Sequence, residues 1–232
     1  YKTHQVNILG TINFLENIRK INPKILFIYS SSDKAYGELN KRNFYKESDR
    51  LQSDYPYDVS KSASDLVCQS YSKTFNLKVG IIRCGNIYGP GDFNLKRLIP
   101  EVIISTIKNQ RFVIRSNGKS TRDYVYVDDV VNAYVLLMKK FLTSNLKLRT
   151  YNVSSKFNYS VKQIVNMILK SMNSSHLKPI IKNYSKKEIN FQRLNYSKIE
   201  KELKWRPKIK IENGIIETIR WYKKYYKYLK IK

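Results

Sequence analysis

Lys24-Ile25-Leu26-Phe27-Ile28-Tyr29-Ser30-Ser31-Ser32-Asp33-Lys34, answered further along by Tyr57-Asp58-Val59-Ser60-Lys61, is the stretch that decides how this chain folds. Residues 24–30 open after Asn22-Pro23 as a short β-rich apolar run, which reads as a buried parallel strand. Ser31, Ser32, Asp33 and Lys34 follow at its carboxyl end, where open α/β sheets bind their ligands. The segment from Tyr57 to about Phe75 reads as a helix and Lys78 to Arg83 as a second strand; strand, helix, strand implies a parallel sheet. On such a helix residues four apart share a face, so Lys61 stands one turn from the Tyr57 phenol. A cation there favours phenolate and brings a group of reference pKa about 10 toward use as a base near neutral pH. The same spacing recurs at Tyr226/Lys230 and Tyr228/Lys232 in a chain of 19 tyrosines. Those pairs lie in the Lys/Tyr-rich stretch from Trp221 and read as solvated helix surface.

Working outward, Val6, Leu9, Ile12, Leu15 and Ile18 mark an opening helix. Glu38 to Pro56 reads as a polar loop. Gly89-Pro90-Gly91 marks departure into a second lobe, with a helix near 96–108 and a strand at Arg111–Ser116. Arg122 to Val127 leads into a helix from Asp128 to about Phe141, and Tyr151–Ser154 reads as another strand. Ser160–Met172 and Leu194–Leu203 are amphipathic helical segments, the latter ended before Trp205-Arg206-Pro207. The division this implies is 1–88 with 121–156 as one domain, 89–120 with 157–222 as a smaller lobe, and 223–232 as a basic tail.

A hydrophobic fraction of 42% is ample for a core. The net charge of +26 invites a nucleic-acid reading, but the lysines are scattered among Asn, Ile and Tyr rather than clustered. The expectation is therefore no nucleic-acid partner, with a catalytically idle basic module as the competing class. Cys68 and Cys84 lack a CxxC partner and read as reduced core thiols; His4 and His176 are isolated, so no metal site is expected. No apolar run is long enough to span a bilayer, and the reading places the chain in the cytoplasm, away from membranes.

Four motifs occur in order: Ser31-Ser-Asp-Lys-Ala-Tyr-Gly37, Tyr57-x-x-x-Lys61, Arg83-Cys-Gly-Asn-Ile-Tyr-Gly-Pro90 and Arg122-Asp-Tyr-Val-Tyr-Val-Asp-Asp129. Together they resemble the extended short-chain dehydrogenase/reductases that act on nucleotide sugars, over about Thr3 to Tyr222. The resemblance implies an α/β fold: a Rossmann-like parallel sheet with a smaller interleaved α/β substrate lobe. The family's glycine-rich phosphate loop, which belongs to the first βα turn, occurs nowhere in the sequence. The chain therefore reads as a fragment lacking the first βα units, roughly 80 residues, and by itself as a weak binder of NAD without turnover.

The resemblance also assigns roles. Tyr57 and Ser32 act at the sugar 4-hydroxyl, Lys61 holds the nicotinamide ribose of NAD, and Ser31 joins Tyr57 and Lys61 at the cofactor. Asp33 and Lys34 stand where the family's dehydratases carry their acid and base, whereas 4-epimerases have small or uncharged residues. Lysine at the third place resembles the CDP-glucose 4,6-dehydratases; a 4-epimerase or a dehydratase/5-epimerase is the alternative. Asn86, Arg97, Arg122 and Arg193 are implied contacts of the nucleotide-diphosphate sugar, arginine being suited to bidentate phosphate binding. By the same likeness the protein is a homodimer, paired through the helices at Val6–Ile18 and Tyr57–Phe75.

Overall fold

The computed structural model of the protein describes residues 1–38, 44–184 and 191–229. In chain order the elements are α1 (Lys2–His4), a π-helical stretch Gln5–Leu9, α2 (Gly10–Ile21), β1 (Leu26–Ser32), a 3₁₀ turn Asp33–Tyr36, α3 (Pro56–Phe75), β2 (Lys78–Cys84), β3 (Asn86–Tyr88), α4 (Leu98–Ile107), β4 (Val113–Ile114), β5 (Thr121–Tyr126), α5 (Val127–Leu142), β6 (Leu148–Val153), β7 (Asn158–Ser160), α6 (Val161–Ser171), β8 (Ile180–Ile181), α7 (Ser197–Leu203), α8 (Ile211–Tyr225) and a 3₁₀ turn Tyr226–Tyr228. They divide into two compact units. The first is Tyr1–Gly85, Val130–Ser154 and Gln192–Arg206; the second is Asn86–Asp129, Ser155–Phe191 and Pro207–Lys232.

The first unit is built on a parallel sheet in the order β1-β2-β6. Strand β2 is apolar on both faces, as a strand covered by helices on both sides must be. Val79 and Ile81 enter a core with Leu15, Tyr29, Cys68 and Leu77, so α2 and α3 cover that face. Gly80 faces the other way, toward α5, where an added Cβ would lie 2.8 Å from Leu137 Cδ2. Pro56 sits in the first turn of α3, where its missing N–H costs nothing, and Asn76 ends the helix at φ 58° in the left-handed region. The first strand runs two residues past the Ser30 boundary read from the sequence. Ser31 and Ser32 pair in register with Arg83 and Cys84, so ladder hydrogen bonding carries polar residues into the strand.

The second unit pairs β3 parallel to β5 and β5 antiparallel to β7, with β4 parallel to β8. Its core joins Ile99, Val102 and Ile103 of α4, Ile164, Val165 and Ile168 of α6, and Ile211, Ile215, Ile219 and Tyr222 of α8. A capping box starts α6: Ser160 accepts from the Gln163 amide, and the Gln163 side chain accepts from the Ser160 amide. Asn86–Tyr88, just before the break at Gly89-Pro90-Gly91, is a strand opposite Tyr124–Tyr126.

The unit boundaries differ from the sequence division, in which 155–156 also fall to the first domain and 223–232 stand apart as a tail. The first unit stops at Gly85, resumes at Val130 and adds Gln192–Arg206. The last of these belongs there because Leu194 bridges to Tyr45, while Ile199 and Trp205 are buried. The Lys/Tyr-rich stretch from Trp221 is the end of α8, in which Tyr222 is fully buried; Lys230 and Lys232 lie outside the described residues. Among the described residues, no helix is long and apolar enough to cross a membrane.

Candidate active site

Strand β1 delivers Ser30, Ser31 and Ser32 to the carboxyl edge of the first unit's sheet, and the chain turns at once into the 3₁₀ segment Asp33–Tyr36. Ser32 caps that turn: its Oγ accepts from the Lys34 amide at 3.2 Å and donates to Asp33 Oδ1 at 2.9 Å. The Asp33 side chain is buried. Ser53 donates to the carbonyls of Lys34 and Ala35 at 3.2 and 3.0 Å, and Ser62 on α3 donates to the Ala35 carbonyl at 2.8 Å.

Helix α3 brings Lys61 to the same strand end. Its ammonium donates to the Ser30 carbonyl at 2.9 Å and lies 5.2 Å from the centre of the Tyr29 ring. Burial lowers the Lys61 pKa from the ordinary lysine value. Tyr57, one turn earlier, is 44% exposed. The bond to Ser30 uses one of the ammonium's three donors, so Lys61 keeps donors that fit a ribose diol. Ser31 is buried and gives its hydroxyl proton to Asp65 Oδ2 at 2.7 Å.

The remaining sequence candidates are placed as follows. Arg193, in the first unit, lays its guanidinium 4.1 Å from the centre of the Phe44 ring, and its carbonyl accepts from the Tyr45 amide at 2.9 Å. The other three stand in the second unit. Asn86 opens β3 opposite Tyr124. Arg97 precedes α4 and pairs with Asp92 at 3.2 Å. Arg122 lies on β5, donating to the Thr121 carbonyl at 2.9 Å.

Sequence reasoning missed the group behind the turn. Asp65 and Arg83 form a two-pronged ion pair, Nε to Oδ2 at 2.9 Å and Nη2 to Oδ1 at 2.8 Å, with side chains 0% and 2% exposed. Arg83 Nη1 donates to the Tyr36 hydroxyl at 2.7 Å, and that hydroxyl donates to Asn152 Oδ1 at 2.8 Å. Burial works against the Arg83 charge, but Asp65 outweighs it and the pKa rises. Burial also pushes the Tyr36 phenol up to about 12, although Arg83 pulls it down. The signal available in the sequence was Asp65 itself, four residues beyond Lys61 on the same helix.

A family model described as GDP-mannose 4,6 dehydratase matches residues 1–218. The chain is 30% identical over 261 residues to dTDP-D-glucose 4,6-dehydratase of Dictyostelium discoideum, covering 94% of this chain and 58% of the relative. It is 31% identical over 224 residues to dTDP-D-glucose 4,6-dehydratase of Homo sapiens, covering 94% and 62%. Its fold matches the crystal structure of dTDP-glucose 4,6-dehydratase from Bacillus anthracis in complex with NAD at a TM-score of 0.88 and 27% identity, over 98% of this chain and 71% of that one. UDP-glucose 4-epimerase from Thermotoga maritima, solved with UDP-glucose, matches at 0.86 and 27%, over 95% and 70%. The chain thus spans about three-fifths of the length of the two curated relatives.

Proposed function

The chain belongs to the GDP-mannose 4,6-dehydratase family, and on that footing we propose that it serves NAD-dependent 4,6-dehydration of a nucleotide-diphosphate glucose. The observation that carries the reading is that Asp33 and Lys34, on the turn capped by Ser32, share one strand end with Lys61, whose ammonium reaches the Ser30 carbonyl from one helical turn beyond Tyr57.

Ser32 and Tyr57 orient the sugar 4-hydroxyl, and Tyr57 accepts its proton. Lys61 holds the nicotinamide ribose and, as a cation, favours the phenolate. NAD, when bound, supplies the acceptor and later the donor of a hydride. With C4 a ketone, the C5 proton becomes acidic; Lys34 takes it, and Asp33 protonates the departing 6-hydroxyl, so water leaves across C5–C6. Asn86, Arg97, Arg122 and Arg193 serve the sugar diphosphate. Lys34 supports CDP-glucose as the substrate, whereas the names of the relatives favour dTDP-glucose. The working assembly is a homodimer formed through the helical stretch Val6–Ile18 and through α3, a pairing supported by the exposed apolar residues Leu9, Phe14 and Leu66.

The test is turnover of CDP-, dTDP- and UDP-glucose by the full-length protein with NAD. A 4-keto-6-deoxy product is expected, abolished with all nicotinamide reduction in Tyr57→Phe. Asp33→Asn and Lys34→Met should still reduce the nicotinamide while losing product by ~10²–10⁴-fold. A wild-type product that is only the C4 epimer, with no loss of water, refutes the reading.

A further inference from the structure

Tyr57, Lys61 and Asp65 stand four residues apart on α3, so one face of this helix carries the proposed base, its cationic neighbour and a buried carboxylate. That carboxylate reaches both ends of the segment that holds Ser32, Asp33 and Lys34. At the amino side it accepts the Ser31 hydroxyl directly at 2.7 Å. At the carboxyl side it fixes Arg83, which donates to the Tyr36 hydroxyl at 2.7 Å. The Tyr36 ring is clamped as well, stacked on Tyr45 with centroids 4.6 Å apart and 12° between planes.

We propose that Asp65, Arg83 and Tyr36 are positioning residues that fix the turn bearing Asp33 and Lys34 in register with Tyr57 and Lys61. The inference rests on the dehydratase reading and deepens it. A buried ion pair is weak evidence for stability, since an apolar pair of the same volume serves as well. What the guanidinium supplies is direction. Its planar fork takes both carboxylate oxygens and leaves Nη1 aimed at the phenol, a geometry that lysine does not reproduce. Register matters because elimination follows oxidation on the same bound sugar, and a displacement of ~1 Å at a reacting group costs ~10²-fold in rate.

Tyr36→Phe tests this without removing the ion pair, and Ser31→Ala loosens the other anchor. The first readout is amide hydrogen exchange of the full-length protein. In each variant the Lys34 amide, bonded to Ser32 Oγ, and the Gly37 amide, bonded to the Lys34 carbonyl, should exchange about tenfold faster. The middle of α3 should be unchanged. Tyr151→Phe, which loses a phenol hydrogen bond to Glu202 elsewhere in the same unit, should leave both amides as in wild type. The second readout is turnover: Tyr36→Phe should lower product formation about 10²-fold at unchanged KM for the sugar nucleotide, with the absorbance of reduced nicotinamide persisting. Unchanged exchange at both amides, or oxidation and elimination falling together, overturns the proposal. A wild-type enzyme that only epimerises refutes the reaction assigned above, whereas the exchange result still decides whether the turn is held as described.

Discussion

Gly37 leaves the Asp33–Tyr36 turn at φ 78° and ψ −154°, a region that is almost the preserve of glycine. A Cβ built there would lie 1.6 Å from the Gln52 carbonyl oxygen, where real contacts essentially never fall below 3.0 Å. In Gly37→Ala the backbone at Gln52–Ser53 must therefore retreat by more than an ångström. Ser53 is the residue that holds the Lys34 and Ala35 carbonyls, so the turn loses its outer support together with its exit. Backbone strain contributes about 2 kcal/mol and the clash about 2 kcal/mol more, giving a loss of roughly 4 kcal/mol. Gly91 supplies the control: its φ is 79°, yet an added Cβ meets nothing within 4 Å, so Gly91→Ala should cost only about 1–2 kcal/mol. Urea unfolding of both variants, fitted for midpoint and slope, measures the difference. If Gly37→Ala proves no more costly than Gly91→Ala, the contact with Gln52 is not the constraint described.

Asp65→Asn leaves a 2%-exposed guanidinium without its counter-charge and should cost about 3–5 kcal/mol. The double variant Asp65→Leu/Arg83→Met should recover much of the loss, and additivity of the single changes in a double-mutant cycle would contradict the pairing. Burial raises the Glu47 pKa above 4.5, even though its carboxylate accepts the Asn152 amide at 2.8 Å. The folded protein thus holds this proton where the unfolded chain has released it, and stability falls as pH rises through that window. Glu47→Gln keeps the acceptor and loses the titration, so its urea midpoint should gain on wild type as the pH rises above 4.5; a constant difference rules this out. Ser160→Ala breaks the capping box of α6 and should cost about 1 kcal/mol by the same measurement.

How far the sequence carries depends on whether a feature is local. Strand β1, helix α3 and strand β2 are legible because an apolar run, a proline and an asparagine at the helix ends, and a second apolar run lie within one stretch of chain. The turn at Asp33–Tyr36 follows from the polar residues that end the first run. Strand β3 is not legible, since Gly89-Pro90 reads as a break and only pairing with Tyr124–Tyr126, far along the chain, makes residues 86–88 a strand. Helix α8 is masked by the Lys/Tyr-rich stretch that ends it, in which Lys223 and Lys224 are exposed while Ile211, Ile215, Ile219 and Tyr222 fill the core. The helix read from Leu194 begins instead at Ser197, because the Arg193 carbonyl and the Asn195 amide on either side of Leu194 bond the Tyr45 backbone. The Asp65–Arg83–Tyr36–Asn152 group joins four separate elements; the helical spacing of Asp65 from Lys61 marks one member, but nothing local names its partners.

The interleaving of the two units sets the order in which a newly made chain can mature. The first needs Gln192–Arg206 to close, and the second needs Pro207 onward for α8, so neither can finish while the carboxyl-terminal part is still being synthesised. Arg83 emerges long before Asn152 and must wait to have its phenol partner locked from the far side. Contacts of such sequence separation are slow to form, and an unfinished sheet exposes apolar surface and an unpaired edge in the meantime. Truncation before residue 192 should therefore yield an aggregating chain rather than a smaller folded one.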